Sequence, residues 1–373
     1  MTEQTREEKE FEICKRNPYE YIMDWMEGNL LHVGRQVFKV LALQPCSLIL
    51  PNIHFNSTSL RTSFNIMILA PPSCGKSTLC KKYEGMTYSP YPVRKVSSSQ
   101  LASDLASMDM FSLILEDFSQ IGDDYEVIKV IEGAIGDEKK ISKKNKREII
   151  DKDTQGVGLL CGTWSDLGRY MKYFQSGLLF RSFLMFIDLS KKQKEDIGDF
   201  INEGVGNKKS ADSSKLKERV VRRYYKELEI IMAGEHKDIP QVNDYEFPPQ
   251  MKKKYILDPW KEATEEYHDI GKEGQKQDFH FSRELGEGYR IAVSSALLNI
   301  FNRRVEDGVL YPTEEDFKLA RDLMLQNLTN KISILKSKMF MKNIKSVKDL
   351  KSVLKCKIPS ITKKILTNLY MSR

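Results

Sequence analysis

Long apolar runs are missing from this sequence. No stretch of its 373 residues approaches the roughly 20 apolar positions of a membrane-spanning helix, so no helical span is expected. Cysteine is sparse as well. Cys14, Cys46, Cys74, Cys80, Cys161 and Cys356 stand without paired spacing, which argues against a disulfide framework or a zinc site and favours a reducing, cytoplasmic setting. The opening residues, Met1 to Lys9, are acidic and polar with no apolar h-region, so secretion is not expected. A large excess of one charge is absent too: 59 Lys and Arg against 52 Asp and Glu leave +7. That surplus is concentrated in two stretches, and its placement says more than its size. What is present is 40% hydrophobic and 30% charged, the composition of a globular chain with room for two or three structural units.

The stretch that organises the rest runs from Asn65 to Thr78. Asn65-Ile66-Met67-Ile68-Leu69 is a short apolar run without helical spacing, which predicts a buried strand. Pro71, Pro72, Ser73, Cys74, Gly75, Lys76, Ser77 and Thr78 then follow the phosphate-loop pattern G-x-x-x-x-G-K-[ST], with Ala70 at the first glycine. Such a loop turns backbone N–H groups onto phosphates, and the helix after it adds its positive end. Gly75 allows close approach, Lys76 reaches the β/γ-phosphates, and the Ser77 hydroxyl suits Mg²⁺. A second apolar strand, Phe111 to Leu115, ends in Glu116-Asp117. Acids there form the Walker B pattern, in which one carboxylate holds Mg²⁺ and its neighbour orients or deprotonates a water.

Further strands are expected at Val157 to Cys161 and Phe183 to Leu189, with helices between strands. This alternation over residues 60 to 190 predicts an α/β three-layer sandwich with a parallel sheet. Ahead of it, residues 1–16 read as a flexible tail, Tyr19 to Leu43 as two helices, and Cys46 to Leu50 as a connection or edge strand. After it, Lys215 to Met232, Pro259 to Tyr267, Arg283 to Phe301 and Thr313 to Leu328 read as helices of a second domain, with loops at 207–214 and 234–249.

The two basic stretches both suit a polyanion. Lys139 to Ile150 carries β-capable ends around a basic centre, predicting a hairpin whose Lys143, Lys144, Lys146 and Arg147 project into solvent or onto phosphates such as those of DNA. Residues 331–373 hold a dozen basic residues against the single acid Asp349. Within them, Ser346 to Leu354 and Pro359 to Tyr370 read as a helix-turn-helix, with Lys357, Ser360, Lys363 and Lys364 as DNA contacts.

On these residues the chain resembles the AAA+ ATPases and, among them, the minichromosome maintenance (MCM) replicative helicases, over residues 17 to 328. His32-Val33-Gly34-Arg35-Gln36-Val37 with Ala42-Leu43-Gln44 resembles the family's segment before its Walker A strand. Glu116-Asp117-Phe118 stands in the place of its Walker B, and Glu138 to Ile149 in that of its pre-sensor-1 hairpin. Gly168-Arg169-Tyr170 and Leu178-Leu179-Phe180-Arg181 resemble the approach to its arginine finger. Arg283-Glu284-Leu285 with Arg290 has the spacing of its sensor-2 helix, and Thr313-Glu314-Glu315-Asp316 matches its last lid helix.

The resemblance implies an AAA+ domain at 17–205, a helical lid at 206–330 and a basic helix-turn-helix domain at 331–373. It implies ATP and Mg²⁺ as cofactors and a homo-oligomeric, hexameric ring. Arg181 would come from the neighbouring subunit, Arg283 would act on the γ-phosphate in trans, and Thr163, with Ser165 second, would be sensor 1. The implied activity is a DNA-dependent ATPase that translocates on or unwinds single- or double-stranded DNA in replication. The alternative is an AAA+ initiator or helicase loader that uses ATP as an assembly switch on origin DNA. The sequence departs from the family in its reversed Walker B acids, a span from Lys76 to Glu116 too short for the helix-2 insertion, and no expected counterpart of the N-terminal domain. So reduced a form is expected of a plasmid, virus or mobile element.

Overall fold

The computed structural model describes residues 3–28, 30–55, 58–93, 97–118, 121, 125–135, 141–142, 149–150, 155–163, 181–204, 208–268 and 282–343. The chain opens with helices α1 (Glu3–Arg16), α2 (Pro18–Glu27) and α3 (Arg35–Ile49), then a hairpin of β1 (Ile53–Phe55) and β2 (Thr58–Leu60). Strands and helices alternate next: β3 (Asn65–Leu69), α4 (Lys76–Glu84), β4 (Pro90–Pro92), α5 (Ser98–Ala106), β5 (Met110–Leu115), α6 (Tyr125–Ile135). A small hairpin, β6 (Ile141–Ser142) and β7 (Ile149–Ile150), interrupts before β8 (Gln155–Gly162), β9 (Ser182–Phe186), α7 (Lys191–Gly204) and α8 (Lys208–Met232). Beyond lie β10 (Asp244–Tyr245), α9 (Asp258–His268), α10 (Ser282–Leu298), β11 (Arg304–Glu306), β12 (Val309–Tyr311) and α11 (Glu314–Asn343).

The sheet is five-stranded and parallel, in the order β4-β5-β8-β3-β9. Parallel strands are buried on both faces, and β3 shows why its five residues are all apolar or hydrogen-bonded. Its side chains alternate between two cores: Ile66 and Ile68 join α3 and α4, whereas Met67 and Leu69 join α5 and α6. Helices therefore flank both faces, as the alternation predicts. Strand β8 sits between β3 and β5 and pairs parallel with both, so the phosphate-loop strand and the acid-bearing strand end on the same edge of the sheet. Helix α5 starts at a side-chain cap, with Ser97 Oγ accepting from Gln100 N at 3.2 Å.

Three expectations are corrected. Residues 3–16 are a helix, and Phe11 and Cys14 are buried on one face of it. The rest of its holding force is polar, which apolar periodicity does not register: Glu7 pairs with Arg219 at 3.3 Å, Glu8 with Arg223 at 2.9 Å, and the Arg223 guanidinium lies 4.0 Å from the Phe11 ring centroid. Cys46 to Leu50 is neither a connection nor an edge strand. Cys46 to Ile49 continue α3 through Pro45, held in place by burial of Cys46 and Leu48 and by Tyr225 Oη donating to Ala42 O at 2.7 Å, and Leu50 ends the helix in extended backbone. Of the loop expected at 207–214, residues 208–214 are the start of α8.

The division into domains also changes. Ile291, Ala292, Leu297, Phe317, Leu323 and Met324 of α10 and α11 belong to the same core as Ile66 and Ile68, so the helices after β9 share the sheet's core. The boundary expected at 330/331 falls inside α11, which runs unbroken to Asn343. Lys331 is buried there and pairs with Glu287 of α10 at 3.4 Å. Helix α11 lies over the edge strand: Leu184 N donates to Asn327 Oδ1 and Asn330 Nδ2 donates to Leu184 O, both at 2.8 Å. Two asparagines one turn apart thus satisfy the unpaired side of β9. The expected helix-turn-helix, 346–370, lies outside the described residues.

One buried cation carries a pH signature. Lys82 of α4 donates to Trp25 O at 2.6 Å and lies 4.2 Å from the Trp25 ring centroid, joining α4 to α2. Burial pushes its pKa down to about 8. The unfolded chain, with an ordinary lysine, then binds more protons between that value and the usual 10.5, so this group makes stability rise with pH through that window. Lys82→Met removes the term. The stability of wild type relative to this variant is expected to grow between pH 7.5 and 10 in chemical denaturation; a constant difference would contradict the assignment.

Candidate functional site

The loop after β3 is pinned before it turns. Ala70 N donates to Gly162 O at 3.0 Å, and Ile187 N to Leu69 O at 2.9 Å. Ser73 and Gly75 then take left-handed backbone, with φ of 61° and 87°. A side chain at Gly75 would meet Leu30 Cδ2 at 2.9 Å, so both conformation and space call for glycine. Gly75 caps α4, whose first N–H groups have no partner within the helix and face an anion's natural position. Pro71 and Cys74 are buried in the turn, whereas Pro72, Ser73, Ser77 and Thr78 are exposed. Lys76 folds over the loop, its Nζ donating to Pro71 O at 3.3 Å.

Ser77 and Glu116 are 39 positions apart, and the sheet brings them together: Ser77 Oγ donates to Glu116 Oε1. Asp117, two residues past the end of β5, and Thr163, one past the end of β8, are half-buried on the same edge as the loop. Magnesium takes hard oxygen ligands, keeps several waters and leans on phosphate oxygens. A hydroxyl and a carboxylate in mutual contact beside a phosphate loop fit that donor set. Among the described residues no group of three or more His, Cys, Asp or Glu could cage a metal, so phosphate oxygens and water would complete the coordination. The contact also bears on the reversed acids, since Glu116, the first of them, is the one that touches Ser77.

The arginines lie elsewhere. Arg181 immediately precedes β9, whose Ser182 is level with Asn65, and Asn65 Nδ2 donates to Arg181 O at 3.4 Å. The phosphate loop leaves the other end of β3, roughly 13 Å away at about 3.3 Å per strand residue. Arg181 Nε is buried and has no hydrogen-bond partner among the described residues. Helix α10 approaches that same far end, with Arg290 Nε donating to Arg61 O at 2.7 Å and Gly286 packed on Leu60. Arg283 lies at its start, its side chain outside the described residues. One chain therefore does not bring Arg181 to its own loop.

The hairpin expected around Asn145 is present in its stems, where Ile141 pairs with Ile150 and Ser142 with Ile149. Its Lys143, Lys144, Lys146 and Arg147 lie outside the described residues, as do Ser165, Lys357, Ser360, Lys363 and Lys364.

Sequence reasoning missed part of the surroundings. Leu30 packs on Gly75, and nearby His32 Nε2 lies 3.2 Å from Asp196 Oδ2, tying the loop before α3 to α7. Nothing in spacing or composition marks that pairing across 164 positions. Cys80 of α4 and Cys161 of β8 stand with their sulfurs 3.8 Å apart, and burial raises the Cys74 thiol. All three are buried and free, filling space behind the loop. No helix among the described residues is long and apolar enough to cross a membrane. No protein-family model matches the chain, and no curated protein matches it.

Proposed function

We propose that this chain is an AAA+ ATPase of the MCM-like type, which forms a ring on DNA and couples ATP hydrolysis to translocation or unwinding in replication. The observation that carries the reading is the contact of Ser77 with Glu116 beside a left-handed Gly75 at a helix start. In this reading the α4 N–H groups and Lys76 hold the phosphates, Lys76 exchanging the Pro71 carbonyl for phosphate oxygens. Ser77 and Glu116 hold Mg²⁺, which neutralises developing charge when bound. Asp117 accepts the proton of the attacking water, and Thr163 orients that water. Arg181, stranded at the far end of its own sheet, serves the site of the next subunit, with Arg283 beside it. A head-to-tail contact of this kind closes into a ring.

The initiator or loader reading has one observation in its favour. With Glu116 engaged by Ser77, the remaining acid is the shorter Asp117, which reaches a water less readily and slows turnover. An ATPase assay with and without DNA tests both. Stimulated turnover that Lys76→Ala abolishes supports the translocase. Slow, DNA-independent turnover with strong preference for one duplex site and no strand separation supports the switch. No ATP turnover or binding by wild type overturns the proposal.

A further inference from the structure

Strand β8 places glycines at 156, 158 and 162, all on the face toward β5 and α6. A methyl group at Gly158 would meet Ile135 Cδ1 at 2.7 Å, at the sheet end remote from the phosphate loop. Gly162 is different in what surrounds it. Its carbonyl accepts the first hydrogen bond of the loop, from Ala70 N at 3.0 Å. The space where its side chain would stand is filled by Phe118: a methyl there would lie 2.5 Å from Phe118 Cδ2, 3.0 Å from Cε2 and 3.6 Å from Leu69 Cδ2. Phe118 is buried and directly follows Asp117. One residue thus touches the loop through its carbonyl and the acid turn through its missing side chain.

We propose that Gly162 is a positioning residue that sets the acid pair Glu116-Asp117 against Ser77 of the phosphate loop, through the Phe118 ring seated on it. The proposal rests on the reading of this site as one that hydrolyses MgATP. A ring atom at 2.5 Å from an added carbon has to move, and the ring is short-tethered to the acids it follows. A displacement of about 1 Å at reacting groups costs roughly 100-fold in rate. The loop, held by backbone, stays where it is. The effect of a methyl at 162 therefore separates metal-dependent chemistry from metal-free nucleotide binding, which general destabilisation of the strand would not do.

The test compares Gly162→Ala, Gly162→Ala with Phe118→Leu, and Gly158→Ala, measuring kcat, ATP affinity in EDTA and in Mg²⁺, and thermal stability. Gly162→Ala is expected to lower kcat by about 100-fold and to lose the gain in affinity from Mg²⁺, while affinity in EDTA is unchanged. The shorter leucine at 118 is expected to recover at least tenfold of that loss. Gly158→Ala is expected to melt earlier with its kcat intact. An unchanged kcat in Gly162→Ala, or an equal loss in Gly158→Ala without recovery by leucine, overturns the proposal. If Gly162→Ala does not fold, Phe118→Leu alone decides: a reduced kcat with EDTA affinity retained supports it, and an unchanged kcat overturns it. Wild type that binds no ATP in either condition would instead refute the nucleotide reading beneath it.

Discussion

Arg181→Ala is expected to lower kcat for ATP hydrolysis by about 10³-fold or more, with ATP affinity and melting temperature close to wild type. The reason is geometric. A phosphate loop with two carboxylates holds the triphosphate and its metal but supplies little cation for charge developing on the transferred phosphoryl group. Arg181 immediately precedes β9, beside Asn65, at the opposite end of the sheet from Gly75, so it cannot serve its own chain's loop. In the proposed function its effect passes through a neighbour. Mixing Arg181→Ala with Lys76→Ala is therefore expected to restore turnover that neither shows alone, since mixed rings contain interfaces with an intact loop facing an intact arginine. Steady-state turnover against mixing ratio checks this. A linear sum of two inactive proteins at every ratio would argue that Arg181 acts within its own subunit or not at all.

The second large effect concerns the fold. Lys331→Ala is expected to destabilise the chain by about 3–5 kcal/mol, the cost of leaving a buried charge without its partner. Lys331 and Glu287 are essentially inaccessible to solvent, 0% and 2% exposed, and lie 3.4 Å apart. Asn327 Nδ2 donates to the other Glu287 oxygen, and the same Asn327 accepts from Leu184 N of the edge strand. Losing the lysine therefore disturbs one of the two asparagine contacts on the β9 edge as well as the α10–α11 pair. Replacing both charges, as Glu287→Leu with Lys331→Met, is expected to recover most of the loss, because matched apolar groups avoid the desolvation that the ion pair must offset. Urea denaturation of the two variants decides it. A loss under about 1 kcal/mol in Lys331→Ala, as for a surface pair, would mean the charge reaches solvent.

What could be read from the sequence followed from how local each signal was. The phosphate loop was legible because its chemistry needs fixed residue types at fixed spacing, and β3 and β5 because strands buried on both faces carry continuous apolar runs. The contact of Ser77 with Glu116 was implied by the two motifs but depended on strand order, which no local pattern encodes. Helix α1 was missed because Phe11 and Cys14 are a thin apolar stripe, and Glu7 and Glu8 hold the rest through arginines more than 200 positions away. Pro51 and the apolar run before it suggested an edge strand, yet Tyr225 and the core around Cys46 keep that run helical through Pro45. The rise in basic residues after 330 suggested a new domain. Lys331 is instead a core residue, its charge answered by Glu287, and composition cannot distinguish a buried lysine from a solvated one.

The central claim is that Gly75, Lys76, Ser77 and Glu116 together bind ATP with Mg²⁺. Calorimetric titration of ATP into wild type, Lys76→Ala and Ser77→Ala, each with Mg²⁺ and with EDTA, tests it most directly. One ATP per chain is expected to bind, more tightly with Mg²⁺, with no binding by Lys76→Ala and loss of only the Mg²⁺ gain in Ser77→Ala. Equal heats for wild type and Lys76→Ala, or no binding by wild type, would contradict it.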